Sequence, residues 1–182
     1  HASLLAGGAN TCSAHHLGNS DRALCVLPLC HINGQVVTVM APLVSGSSVV
    51  MPRKFSTQRF WYWVSKEDCT WFSVVPTMIS YLLGMEEDAQ HITESQLSHV
   101  RFGRSASAPL APAVHKAFVA RFGIPMVETM GITETAAQIL SNPLDPTQQK
   151  IGSPGLQSVT TSTVAPAISR QHPNSLAATA IG

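Results

Sequence analysis

Val127-Glu128-Thr129-Met130-Gly131-Ile132-Thr133-Glu134-Thr135 is the stretch whose reading decides the fold. The apolar run Ile124-Pro125-Met126-Val127 leads into it and predicts a short buried strand. At Gly131 the backbone is free to turn sharply or to let a ligand approach. Thr133 and Glu134 then set a hydroxyl beside a carboxylate where a new helix can begin. Such a pair suits a nucleoside triphosphate: the hydroxyl donates to a phosphate oxygen, and the carboxylate holds the accompanying hard cation. A plainer reading stays open on spacing alone, a strand ending in a turn with Thr133 as helix N-cap.

Outward from this stretch, the chain alternates between strand and helix patterns. Residues 2–16 predict a helix of small and apolar side chains, and residues 23–29 a continuous apolar strand. Segment 31–34 is expected as an exit loop. Residues 35–44 are apolar nearly all round and predict a buried helix, although three valines leave a strand open. A strand is expected at 48–51, a helix at 57–66 after Ser56 as N-cap, and a strand at 70–75. Pro76 opens the next helix, since proline suits a first helical turn. A polar surface loop is expected over 86–96 and a strand over 99–105. An amphipathic helix follows at 111–122, with Gly123 as its C-cap. The pattern predicts an α/β fold, a mostly parallel sheet with helices packed on it. In such sheets ligands bind beyond the carboxyl ends of the strands. His31, Ser105 to Ala108 and Met130 to Glu134 all fall there.

Composition sets the limits. The 182 residues fit one domain or a piece of a larger one. Only 12% of them are charged against 45% hydrophobic, so part of the surface is expected to be covered by more of the same polypeptide. A net charge of +1 offers no electrostatic basis for binding nucleic acid or an anionic membrane. No apolar run is long enough to span a bilayer. The start, His1-Ala2-Ser3-Leu4-Leu5, has neither an initiator Met nor a basic n-region, and it reads as part of something longer rather than as a signal peptide. Cys12, Cys25, Cys30 and Cys69 show no paired spacing. Cys25 and Cys30 are expected as buried thiols rather than metal ligands, which suits a reduced, cytoplasmic setting. His15, His16, His91, His99, His115 and His172 read as surface or partly buried residues.

Four segments carry a resemblance. Leu27-Pro28-Leu29-Cys30-His31-Ile32-Asn33-Gly34, Arg104-Ser105-Ala106-Ser107-Ala108-Pro109-Leu110, Met130-Gly131-Ile132-Thr133-Glu134 and Lys150-Ile151-Gly152-Ser153-Pro154-Gly155 resemble, in order and spacing, the adenylate-forming (AMP-binding) superfamily. Within it the chain looks most like acyl-CoA synthetases, in the fatty-acid and oxalate–CoA ligase-like branch. The resemblance implies a partial N-terminal adenylation domain over residues 1–155, followed by an atypical tail at 156–182. That tail is rich in Ser, Thr, Ala and Pro, which suggests a flexible segment or a shifted reading frame.

Residue roles follow from the same resemblance. It implies that Thr133 contacts nucleotide phosphate and Glu134 the magnesium ion. It also implies that Ser105, Ala106, Ser107, Ala108 and Pro109 lie along the adenine of ATP or AMP and the acyl pocket, with Gly131 and Ile132 beside the nucleotide. The family usually has a tyrosine at the position of Met130, stacked on adenine; methionine can cover a ring but cannot stack as a plane. His31 matches a position near the acyl group and the pantetheine tunnel, beside the plainer reading of a hydrogen-bonded histidine ending a strand.

The implied reaction turns a carboxylic (fatty) acid and ATP into acyl-AMP, from which the thiol of CoA displaces AMP. The family's phosphate loop is expected just before His1, and its ribose-gripping Asp and catalytic lysine downstream. The isolated chain is therefore expected to need the rest of its polypeptide for catalysis. A non-catalytic remnant or binding module that keeps the fold is the alternative. A Rossmann-like cofactor domain is disfavoured, because no Gly-x-Gly-x-x-Gly follows a strand.

Overall fold

A computed structural model describes residues 1–85 and 93–157. Among the described residues, seven strands form one sheet in the order β2-β1-β3-β4-β5-β6-β7. They are β1 (Arg22–Cys25), β2 (Ser48–Val50), β3 (Trp71–Val74), β4 (Phe102–Ser105), β5 (Met126–Ile132), β6 (Ala137–Ser141) and β7 (Leu156–Gln157). Strands β1 to β5 pair in parallel, while β6 and β7 add on antiparallel. The mostly parallel α/β sheet expected from the sequence is what forms.

Alternate side chains bury on opposite faces, as the strand period of two requires. One face is mainly apolar: Leu24, Phe72, Val74 and Met126 pack under α3 (Thr57–Lys66), α4 (Pro76–Leu83) and α6 (Pro112–Phe122), with Ser105 and Glu128 buried at its carboxyl end. Phe60 and Trp61 of α3 belong to this core, with Phe60 edge-on to Phe72 at 5.1 Å between ring centres. A four-residue helix, α5 (Glu94–Leu97), adds Leu97 to it. The other face sets Ala23, Trp71, Phe102, Val127 and Ala137 against α1 (Ala2–His15) and the helical stretch that follows β1. Here polar groups are buried among the apolar ones.

The structure revises several expected boundaries. The apolar strand at 23–29 pairs only as far as Cys25, because Pro28 cannot donate to a ladder. Segment 31–34 is no simple loop. A wide π-wound helix runs from Asn33 to Met40 and passes directly into α2 (Ala41–Ser45), so helix starts two residues before the expected Gln35. Gly34 permits this, since a Cβ there would press on the carbonyl of Pro28. The strand expected at 99–105 pairs only from Phe102. The buried strand at 124–127 instead runs on through Ile132.

The helix that begins at Thr133 is only one 3₁₀ turn long, not an α-helix. Residues Thr133–Thr135 make a single tight turn with Ile132 as its cap, and the chain folds back as β6. The pairing of Gly131 with Gln138 across a register shift sets the reason: a Cβ on Gly131 would run into the backbone of Ala137. The close approach that needs glycine is thus made by the chain itself.

Two histidines expected near the surface are buried, His15 at 0% and His115 at 2% exposure, and Cys30 is exposed rather than buried. His91, His172, most of the polar loop and all of the tail beyond Gln157 lie outside the described residues. Among the described residues no helix is long and apolar enough to cross a membrane.

Candidate functional site

Two cavities open at the carboxyl ends of the parallel strands. One, of about 400 Å³, is lined by Ser105, Ser107, Ala108, Pro109, Leu110, Glu128, Thr129, Met130, Gly131, Ile132, Gly152 and Pro154. The other, of about 550 Å³, lies between Leu27, Pro28, His31, Ile32, Asn33, Val75 and Met78 on one side and Thr133 and Glu134 on the other. Ser107, Gly131 and Ile132 border both. A single ridge, the end of β5 with the turn after β4, therefore divides one cleft into two chambers.

Nearly all of the residues singled out in the sequence meet here. Ser105, Ser107, Ala108, Pro109 and Met130 line the first chamber, and His31, Thr133 and Glu134 the second. Ala106 does not: it is buried beneath the turn at 4% exposure and lines neither. Thr133 and Glu134 are exposed at the rim, and His31 is exposed with, among the described residues, no hydrogen bond to its imidazole.

The turn after β4 is under strain where it matters. Ser107 adopts a φ of 73°, a left-handed conformation that costs a non-glycine residue about 1 kcal/mol. The Asn33 side chain holds it there, Nδ2 donating to Ser107 Oγ at 3.3 Å. The Ser105 hydroxyl, buried on the wall of the first chamber, has no partner among the described residues. An unpaired buried hydroxyl is expensive, and a bound group with a polar edge would satisfy it.

The floor is tied down by hydrogen bonds to one carboxylate. Glu128 Oε1 accepts from His115 Nδ1 at 2.8 Å and from the Gly152 N–H at 2.8 Å. One carboxylate thereby joins β5, α6 and the Lys150–Gly155 turn. Asn142 strengthens the same corner, donating to the Ser153 carbonyl at 2.6 Å and accepting from the Lys150 N–H at 3.0 Å.

Sequence reasoning missed Asn33, Arg104, Glu128 and Gln138 as site residues. Arg104 carried a usable signal, a charged residue inside an otherwise buried strand. It is 2% exposed, and its guanidinium donates to Asn33 Oδ1 (2.7 Å), Ser73 Oγ (3.0 Å) and Gln138 Oε1 (3.1 Å). Burial pulls it down to about 9, still charged at neutral pH. His15 Nε2 shares the same Gln138 oxygen at 3.0 Å. Burial first, and then the Arg104 charge, push His15 down to about 3, so that its imidazole is neutral in the fold.

The profile described as AMP-binding enzyme matches residues 1–165. The chain belongs to the AMP-binding enzyme family. It is 54% identical over 157 residues to a sulfoacetate–CoA ligase of Cupriavidus necator, covering 86% of this chain and 30% of that protein. It is 32% identical over 155 residues to an oxalate–CoA ligase of Saccharomyces cerevisiae, covering 85% of this chain and 27% of that one. The fold superposes on ATP-bound MatB from Rhodopseudomonas palustris with a TM-score of 0.76 at 25% identity, over 86% of this chain and 30% of MatB. The chain thus spans under a third of the length of these relatives.

Proposed function

We propose that the chain supplies the nucleotide- and acid-facing part of an AMP-forming acid–CoA ligase. The observation that carries this reading is the divided cleft, which gathers the two family-like segments at β4 and β5 around one ridge. The first chamber takes the adenosine end of ATP, with Met130 and Pro109 as apolar walls and Ser105 Oγ as an unspent polar group. The second takes the acid, beside His31, and opens towards CoA.

The residues present fit such an occupant. The first chamber is of the size used for small ligands. Magnesium is usually held by one or two carboxylates together with substrate phosphates, and Glu134 supplies one at the rim. Bound there, the ion would supply charge neutralisation of the phosphate oxygens. Thr133 donates a hydrogen bond to phosphate, and the Ser107 turn and β5 orient the two substrates towards each other. The reaction we infer joins a carboxylate oxygen of the acid to the α-phosphorus of ATP and expels pyrophosphate. The thiol of CoA then displaces AMP from the acyl carbon. Charge gathers on phosphate oxygens throughout, so positioned donors and cations are the main means of acceleration.

Likeness to ligases named for sulfoacetate and oxalate supports a short acid over a long fatty chain. Free cysteines at 12, 25, 30 and 69 support a reducing compartment such as the cytoplasm. We also propose that catalysis requires the remaining parts of a longer polypeptide. A second reading, a nucleotide-free remnant of the fold, draws on Met130, which is 43% exposed and offers no ring to stack on adenine.

Ligand-observed NMR with AMP and with adenosine tests the first reading on the 182-residue chain. Saturation transfer to the adenine protons, lost on Ala108→Trp at the exposed chamber wall in a chain that still folds, is expected. Absence of transfer from a folded native chain would refute the nucleotide chamber.

A further inference from the structure

Among the described residues, Arg104 is a buried cation without a counter-ion. Its acceptors, Asn33, Ser73 and Gln138, are all neutral. Among the described residues the ion pairs are Arg101 with Asp21 and His115 with Glu128. Neither reaches it. Asp21 precedes β1, at the opposite end of the strands. Glu128 sits on the neighbouring strand in register with Ser105, whereas Arg104 is in register with Val127. Side chains alternate across a sheet, so the Glu128 carboxylate and the guanidinium lie on opposite faces. His15, the other titratable group of the network, is neutral.

A charge in this position is costly unless something compensates it. Beyond those three acceptor side chains, the core on this face of the sheet is the apolar cluster of Trp71, Phe102, Val36 and Val37, which screens a charge little. One route leads from it to a ligand. Asn33 turns its Oδ1 inward to Arg104 and its Nδ2 outward to Ser107, and both Asn33 and Ser107 line the second chamber. The guanidinium thus stands one side chain behind the chamber wall. Asn33 does not border the first chamber, where Met130 and Pro109 lie.

We propose that Arg104 is a specificity-determining residue whose unpaired charge selects an acid bearing a second anionic group in the second chamber. The inference rests on the reading of that chamber as the acid site. Arg104 acts through the Asn33 amide: the inward oxygen is polarised by the guanidinium, and the amide N–H₂ presents the positive end of the dipole to the acid. A second carboxylate or sulfonate gains from this field, and a plain aliphatic acid of the same length does not.

The test compares malonate with propionate, and AMP with adenosine, by saturation-transfer NMR on the full chain, its Asn33→Asp variant and its Arg104→Met variant. Asn33→Asp changes little volume and gives Arg104 a resident carboxylate, so it guards against the case in which Arg104→Met fails to fold. Malonate is expected to bind the native chain about tenfold tighter than propionate, a ratio in the range of one partly screened charge–charge interaction. The ratio is expected to fall to about one in Asn33→Asp, with cooperative unfolding retained. Equal binding of the two acids by the native chain would overturn the proposal, as would a preference that survives in folded Asn33→Asp. A variant that loses AMP relative to adenosine, rather than malonate relative to propionate, would assign the charge to the nucleotide phosphate instead. Failure of AMP to bind the native chain would remove the nucleotide reading, and this inference with it; AMP bound without malonate preference would sink the inference alone.

Discussion

Arg101 and Arg104 stand three positions apart on one strand and its lead-in, and the sheet treats them in opposite ways. The Arg101 side chain is 37% exposed and is paired with Asp21 at 2.5 Å, while also donating to the carbonyls of His15 and His16. Burial pushes the Asp21 carboxyl up, but the Gly18 N–H, Arg101 and Thr70 together hold it below the ordinary carboxylate range. This cluster joins the lead-ins to β1, β3 and β4 and closes the amino end of the sheet. Arg104, at the carboxyl end, is buried and, among the described residues, has only neutral partners. One end of the sheet has its charge neutralised and serves stability. The other keeps a buried charge one side chain behind a cleft.

Changes at the two ends are expected to separate stability from binding. The largest expected effect is that of acid on the His15 network. Unfolded histidine takes up a proton near 6.5, whereas buried His15 stays neutral down to about 3. Between those values the unfolded chain binds more protons, so stability is full above about pH 6.5 and falls as pH drops through the window. The loss is on the order of 4 kcal/mol. Urea unfolding at a series of pH values should show it, and His15→Phe should flatten the profile relative to the native chain.

Next comes Asp21→Ala, which strands Arg101, Thr70 and the Gly18 N–H. It should cost about 2 kcal/mol of stability in denaturant titrations and leave AMP binding to the folded chain unaltered. Glu134→Gln should do the reverse. Its side chain is exposed, so stability should move by less than about 0.5 kcal/mol. Binding of ATP with magnesium should nonetheless weaken about tenfold, and chelating the metal should erase the difference between variant and native chain. The smallest effect is expected for Met130→Tyr, where a planar ring at the chamber wall should tighten AMP by about 1 kcal/mol, read from the same NMR titration.

Much of this was legible in the sequence. The alternation of apolar strand runs with helical patterns gave the parallel sheet. The carboxyl-end rule places His31, Ser107, Met130 and Glu134 at one end of the sheet, where the two chambers lie. What escaped was long-range. Thr133 and Gly131 carry local signals for a helix start, but the incoming backbone of β6 claims that space, and no local pattern announces a returning antiparallel strand. His15 and His115 look like ordinary helix-surface residues until their partners are known: Gln138 lies 123 positions from His15. The wide winding after Asn33 was hidden for the same reason. Asn33 reads as a loop residue, yet its amide is fixed from both sides by Arg104 and Ser107.

The most direct measurement exchanges this chain's residues 1–155 for the corresponding stretch of the Cupriavidus necator sulfoacetate–CoA ligase and follows acid-dependent exchange of pyrophosphate into ATP. At 54% identity the interior contacts should largely carry over. The expected result is retained exchange that Glu134→Gln abolishes in the chimera. A folded chimera without exchange, or one in which Glu134→Gln exchanges as fast as before, would contradict the assignment of this cleft to acyl-adenylate formation.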